Sequence, residues 1–183
     1  MLEITVPARE FYDEQNQEFI YTKAQTIQAE HSLVSLSKWE AKWCKPFLTK
    51  EEKTPEQVSD YIRCMTVTQN VKEEVYNSFT TDIFTKVKEY IDAPMTATWF
   101  SEPDSGSKQK PKTGIVTAEL IYYWMIAQNI PMECQKWHLN RLLTLIRVCS
   151  VKNAPPQKRS KKDMLAKRRA LNDTRRAQLN SKG

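Results

Sequence analysis

The densest apolar stretch of the sequence, residues 115–149, constrains the fold more than any other feature. Its first half contains seven successive apolar residues, from Leu120 to Ile126, and predicts a helix over about residues 117–128. A helix that is apolar on nearly every side has to be covered on nearly every side. The run is shorter than the ~20 apolar residues that a membrane span needs. It therefore predicts a buried central helix around which the rest of a soluble domain is organised, with no membrane partner.

The second half of this stretch predicts another helix, from about Pro131 to Cys149. Apolar residues recur along it at helical spacing and mark one face. Pro131 suits the first helical turn, where its missing N–H removes no hydrogen bond. Because the link between the two helices is short, we expect them to form an antiparallel hairpin.

The first 30 residues predict a small β element. Residues 2–6 and 18–23 alternate between apolar and polar positions and are rich in β-forming residues, and residues 26–30 do so more weakly. We expect two or three antiparallel strands. Such a sheet is marginal by itself and needs a helix to cover one face.

The middle of the chain predicts several helices. One runs from about Ser32 to Cys44 and is ended by Pro46, because a residue before proline avoids the helical region. The clearest helix start is Thr54-Pro55-Glu56-Gln57, which combines a capping residue, a first-turn proline and a capping-box glutamine. A polar segment with two prolines and a glycine, residues 101–113, predicts a mobile surface loop. Two further helices are predicted over about residues 70–79 and 81–93.

The charge is distributed unevenly along the chain. Residues 152–183 contain 11 lysines and arginines against two aspartates, a net charge of +9, whereas the other 151 residues contain 17 basic and 20 acidic residues, a net charge of −3. This asymmetry indicates an interaction tail. We predict a mainly α fold: a helical bundle over residues 1–151 with a small N-terminal antiparallel β element, followed by a basic linker and C-terminal helical tail over residues 152–183.

The basic tail has three interpretations. Its lysines and arginines suit the neutralisation of nucleic-acid phosphates, although no interleaved aromatic residues support base stacking. Alanine and leucine between the charges equally suit a helix that folds on an acidic or helical protein partner. The third interpretation is a solvated helix that aids solubility, and charge alone does not separate the three.

No motif predicts catalysis. The chain has only three glycines, and the phosphate-binding, dinucleotide-binding and nucleophile-elbow patterns are all missing. Cys134 and His138 lie four residues apart on a predicted helix, but a zinc site needs two further ligands. We therefore predict a non-enzymatic protein with no cofactor and no metal site. The four cysteines are expected to be reduced thiols, and the first ten residues lack the features of a classical secretion signal.

Two tryptophans have two interpretations. Trp39 and Trp43 are four residues apart and share a helix face, between Lys38, Lys42 and Lys45. Core packing explains them, and so does an exposed aromatic surface that grips a partner helix.

Several segments together resemble a family of small proteins encoded in tailed-bacteriophage genomes, the tail assembly chaperones. The resemblance extends from about residue 2 to the end of the chain. The segments that carry it are EHSLVSLSKWEAKW (30–43), KPFL (45–48), LIYYWMIAQNIPMECQKWHLNRLLTLIRVC (120–149) and RRALNDTRRAQLNSKG (168–183).

The resemblance implies a helical protein without catalytic residues that binds the phage tape measure protein and keeps it soluble. It also implies help in assembling major tail tube subunits around that client in the host cell cytoplasm, and absence from the mature virion. Members of the family occur in short and frameshift-extended forms, and a homo-oligomer is compatible with the family. The expected client contacts are Trp39, Trp43, Arg168, Arg169, Arg175 and Arg176.

Two alternatives stay open. One is a virion structural protein of the head–tail region that contacts DNA or neighbouring subunits through its basic tail. The other is a nucleic-acid-binding regulator, whose binding would fall steeply with salt.

Overall fold

The computed structural model describes residues 1–13, 17–100, 114–154 and 161–179. These residues form a mainly α fold with an N-terminal antiparallel β element, which confirms the predicted fold class. The strands are β1 (Leu2–Val6), β2 (Arg9–Asp13), β3 (Glu18–Thr22) and β4 (Gln25–Ala29). The helices are α1 (Leu33–Trp43), α2 (Pro55–Met65), α3 (Glu73–Asn77), α4 (Thr81–Asp92), α5 (Ala118–Ala127), a 3₁₀ helix (Met132–Lys136), α6 (Leu139–Asn153) and α7 (Lys161–Leu179).

The chain divides into two compact units, Met1–Ser150 and Val151–Gly183. The first contains the strands, α1 to α5 and most of α6, and the second contains α7. The predicted loop over residues 101–113 lies outside the described residues. So do residues 155–160 of the predicted linker and residues 14–16 of the predicted first turn.

The β element has four strands where the sequence predicts two or three. β1 pairs with β4 in one antiparallel sheet, and β2 pairs with β3 in another. Pro7 follows β1 and has no N–H for the ladder, so the pairing stops there and resumes at Arg9. Ile4 on β1 and Ile27 on β4 are register partners, and both are buried against the helices.

Helix α1 forms one wall of two hydrophobic cores. Trp39 belongs to the first core, together with buried residues of the β1–β4 sheet and of α2, α3 and α4. Leu33 and Leu36, one to two turns earlier, pack with α5, the 3₁₀ helix and α6 in the second core. Phe47 packs against both cores. The first unit is therefore organised around α1, and not around residues 115–149 as the sequence predicts.

The predicted helix from Pro131 to Cys149 is broken into the 3₁₀ helix and α6. The break lies at Trp137 and His138, where the backbone is extended and His138 forms an antiparallel bridge with Ser32. Next to it, the N–H of Leu139 donates to the carbonyl oxygen of His31 at 2.7 Å. Because this amide bonds to a distant segment, it is not available to continue a helix from Pro131.

The predicted antiparallel hairpin of α5 and the following helix is also wrong. Gln128, the C-cap of α5, donates from Nε2 to the hydroxyl of Ser150 in the last turn of α6, at 2.9 Å. The C-terminal ends of the two helices therefore lie side by side. In an antiparallel hairpin, the end of the first helix lies beside the start of the second.

Helix α5 is covered on one side only. Ala118, Ile121 and Met125 are buried in the second core, whereas Tyr123 and Ile126 are exposed. The expectation that α5 is covered on nearly every side is wrong, because a helix of ten residues beside α1 and α6 buries only the face it presents to them.

Candidate partner-binding surfaces

The structure places Trp39 and Trp43 in different environments. Trp39 is 1% exposed, and its indole Nε1–H donates to the carbonyl oxygen of Gln57 at 2.9 Å. Trp43 is half-buried, and its Nε1–H donates to Oδ2 of Asp60 at 2.9 Å. The expected exposed pair is therefore wrong for Trp39, whose side chain belongs to the first core. Of these two tryptophans, only Trp43 has side-chain surface that a partner can reach.

Asp60 anchors Trp43 to α2. Its carboxylate is buried and accepts from both the indole of Trp43 and the ammonium of Lys42. Burial works to raise the pKa of Asp60, but the hydrogen bonds from Lys42 and Trp43 and the nearby positive charges outweigh it, and the pKa is lowered. The indole N–H of Trp43 is therefore already used, and a partner can contact only the ring.

The predicted arginine contacts lie on α7. Arg168, Arg169, Arg175 and Arg176 are all exposed. In each of the pairs Arg168/Arg175 and Arg169/Arg176, the two residues are seven apart, which is about two helical turns. The four side chains therefore lie on one side of α7, with Arg168 and Arg169 about 10 Å along the axis from Arg175 and Arg176. This arrangement suits an anionic partner, either phosphate or carboxylate.

The β2–β3 hairpin presents an aromatic face that the sequence analysis did not identify. Tyr12 and Phe19 are register partners, and their ring centroids are 5.0 Å apart. Tyr21 lies on the same face because it is two residues from Phe19. Tyr12 is 51%, Phe19 70% and Tyr21 69% exposed. The alternating aromatic residues in the strand pattern are the signal that could have revealed this face.

An apolar groove of about 340 Å³ lies between α2 and α4. Phe47, from the segment between α1 and α2, lines it and stacks on Tyr61 with a centroid separation of 3.9 Å. We call this site the α2–α4 groove. It is lined by Phe47, Lys53, Val58, Tyr61, Ile62, Thr81, Phe84, Thr85, Val87, Lys88 and Ile91.

Among the residues that the structure describes, the charged ones that line the α2–α4 groove are Lys53 and Lys88. Lys53 is half-buried, and its Nζ lies 4.6 Å from the centroid of the Phe47 ring, a cation–π contact. Burial lowers the pKa of Lys53, and the nearby carboxylate of Glu51 opposes that shift. Lys88 is exposed on α4. The groove thus combines apolar walls with positive charge. Sequence reasoning missed it because its walls come from separate helices.

The two histidines lie together in the interior and not in an open cleft. Nδ1 of His31 is 2.6 Å from the hydroxyl oxygen of Tyr61, and the ring centroids of His31 and His138 are 5.1 Å apart. Nε2–H of His138 donates to the carbonyl oxygen of Tyr90 at 2.9 Å, and its Nδ1 accepts from the backbone N–H of Asn140. These contacts join the segments that precede α1 and α6 to α2, α4 and α6, which is a structural role.

Cys134 and His138 do not share a helix, because the chain breaks between them. Within the described ranges, no group of three histidine, cysteine, aspartate or glutamate side chains is placed to hold a metal ion. In the same ranges, no helix has both the length and the apolar composition of a membrane span.

Comparisons with protein-family models, with curated proteins and with solved structures found no match to this chain.

Proposed function

We propose that this protein is a non-enzymatic tail assembly chaperone of a tailed bacteriophage, which binds the tape measure protein and helps tail tube subunits to polymerise around it. The resemblance of residues 30–43, 45–48, 120–149 and 168–183 to that family supports the identity of the client. The observation that carries the binding role is the exposed apolar surface of the first unit. It comprises the aromatic face of the hairpin, the α2–α4 groove and the outer side of α5.

Exposed apolar patches on a folded domain mark surfaces that bind other chains. The resemblance implies a client that is a long, aggregation-prone chain, and an apolar docking surface suits such a client. The client's proposed contacts are therefore Trp43, the hairpin residues Tyr12, Phe19 and Tyr21, and the α2–α4 groove. Arg168, Arg169, Arg175 and Arg176 add a cationic surface for its acidic segments. Trp39 is not among the contacts, because it is enclosed in the first core.

A co-expression experiment tests the proposal. The proposal requires that the genome encoding this chain also encodes a tape measure protein. That tape measure protein is produced alone, with the wild-type chain, and with an unrelated basic helical protein of similar size. We expect the soluble fraction of the tape measure protein to rise with the wild-type chain only. Equal insolubility in all three cultures contradicts the chaperone function.

The exposed arginines of α7 favour a second candidate, a structural protein of the head–tail region that contacts DNA or neighbouring subunits. Mass spectrometry of purified particles separates the two functions. A chaperone is expected to be lost from the finished virion, whereas a structural protein is retained at a fixed copy number.

A further inference from the structure

We propose that the α2–α4 groove binds an amphipathic helix of the client protein, one whose apolar face is flanked by carboxylates. The identity of the client rests on the proposed function, but the shape and charge of the groove do not.

The length of the groove suits a helix. On α4, its lining recurs once per helical turn, at Thr81, at Phe84 and Thr85, at Val87 and Lys88, and at Ile91. This is one face of about three helical turns, about 15 Å long. A bound helix places residues i, i+3, i+4 and i+7 along such a groove. Phe84 and Ile91 on α4 and Val58 on α2 are half-buried apolar residues of the lining that those residues would contact. Ile62 and Val87 lie beneath them as part of the first core.

The positive charge of the groove favours a helix that carries carboxylates beside its apolar face. Lys53 and Lys88 line it, no carboxylate does, and neither lysine forms an ion pair with the described carboxylates. The carboxylate of Glu51 acts on Lys53 but does not line the groove. A further carboxylate on a bound helix would add to the stabilisation of an ammonium group that is partly removed from water. Complementary charges at the rim also raise the association rate and reject helices with basic flanks.

A small amphiphilic anion is the other chemistry that an apolar groove with lysines can take. The volume of about 340 Å³ is near the lower end of the range for small-molecule pockets. The α4 wall, however, includes the exposed residues Thr81, Thr85 and Lys88, so the site is open along its length. An open, extended site favours a helix over an enclosed small molecule, and the experiment includes both.

The test uses the full chain and two fluorescent helical peptides of about 18 residues, long enough to span the groove. The peptides share one apolar face and carry either glutamate or lysine at the flanking positions. Fluorescence anisotropy measures their binding, and decanoate serves as a competing amphiphilic anion. We expect the acidic peptide to bind about tenfold more tightly than the basic one. Equal affinity, no binding of the acidic peptide, or complete displacement by micromolar decanoate overturns the proposal.

Two substitutions on α4 provide a matched pair. Lys88→Glu reverses a charge that lines the groove, whereas Lys86→Glu makes the same change on the opposite side of the same helix, where the side chain is also exposed. We expect Lys88→Glu to weaken binding of the acidic peptide about tenfold and Lys86→Glu to leave it within about twofold. Equal effects of the two changes contradict a site in the groove.

Thr85→Trp fills the groove from an exposed position and should abolish binding of the acidic peptide. Thermal unfolding verifies that each variant is folded.

The outcome separates this proposal from the proposed function. Lys88-dependent binding of the acidic peptide by a protein that fails to solubilise the tape measure protein supports the groove and contradicts the chaperone function. Solubilisation that is unchanged in Lys88→Glu and Thr85→Trp, with no peptide binding, contradicts the groove and leaves the chaperone function in place.

Discussion

The carboxylate of Glu40 accepts the backbone N–H of Ala118, the first residue of α5, at 2.7 Å. Its other oxygen accepts the N–H of Phe47 at 2.8 Å. This buried side chain on α1 therefore fixes both the start of α5 and the segment that contributes Phe47 to the α2–α4 groove. A negative charge at a helix N-terminus is stabilised by the free N–H groups there.

We predict that Glu40→Gln lowers the free energy of unfolding by about 1–3 kcal/mol. The amide can accept only through its one oxygen, so either Phe47 or Ala118 faces an NH₂ group. Glu119→Gln removes an exposed carboxylate from the first turn of α5 and is the control. Urea unfolding measures both variants, and equal small losses of stability would contradict the role of Glu40.

The buried histidine pair predicts a pH dependence of stability. Burial, with a smaller contribution from His138, lowers the pKa of His31 from 6.5 to about 3. The unfolded chain therefore binds a proton at His31 before the folded chain does, and the free energy of unfolding decreases as the pH falls from about 6.5 towards 3. Between pH 7 and pH 5 we expect His31 to account for a loss of about 2 kcal/mol.

His31→Asn measures that contribution, because it retains a polar atom near the position of Nδ1 without a titrating ring. We expect the variant to be less stable at pH 7, and its stability to change less between pH 7 and pH 5 than that of the wild type. Tyr61, His138, Tyr90 and Glu30 surround the site and are left unchanged. The same pH slope in both proteins would show that His31 is not the group responsible.

The contact between Trp43 and Asp60 predicts energetic coupling. Trp43→Phe removes the indole donor from a buried carboxylate, and we expect a loss of about 1.5–3 kcal/mol. In an Asp60→Asn background the same change should cost less, because no charge is left to stabilise. A double-mutant cycle on the free energy of unfolding gives the coupling energy. A value near zero would mean that the hydrogen bond does not contribute.

Substitutions in the aromatic face of the hairpin should weaken client binding without lowering the stability of the chain. Phe19→Ser and Tyr21→Ser change exposed side chains, so we expect the melting temperature of the chain to change little, with a free-energy effect within about 0.5 kcal/mol. The yield of soluble tape measure protein in co-expression should fall. Thr5→Ser changes an exposed residue of the neighbouring β1 strand and is the control.

The four exposed arginines of α7 predict how the tail binds. Replacing Arg168, Arg169, Arg175 and Arg176 by glutamine keeps the helix propensity similar and removes the charge. If the tail contacts the client, the variant should bind the tape measure protein more weakly, and the wild type should have low affinity for DNA at physiological salt. Strong DNA binding with a steep salt slope, lost in the variant, would assign the tail to nucleic acid.

Local signals predicted the starts of α1 and α2 well. Thr54 caps α2, and its backbone N–H donates to the side-chain oxygen of Gln57 at 3.0 Å, as the Thr-Pro-Glu-Gln pattern predicts. The predicted helix from Ser32 to Cys44 agrees with α1, whose caps are those two residues. Such features depend on residues within one or two turns of each other, which is the range that a sequence pattern reports.

Features that depend on distant segments were missed. The break before α6 exists because Leu139 bonds to His31, more than 100 positions earlier in the chain. Trp39 and Trp43 have the same local pattern, yet Trp39 faces the first core and Trp43 only partly does. The α2–α4 groove requires the packing of three segments. The division of one apolar pattern between interior and surface is decided by tertiary packing.

The most direct measurement is light scattering on the eluate of size-exclusion chromatography, after the purified chain is mixed with tape measure protein diluted from denaturant. We predict one soluble peak that contains both proteins, with a mass above that of either alone, and loss of that peak for the Phe19→Ser/Lys88→Glu double variant. A tape measure protein that precipitates while the chain elutes at its own mass would contradict the central claim that this protein acts by holding another polypeptide.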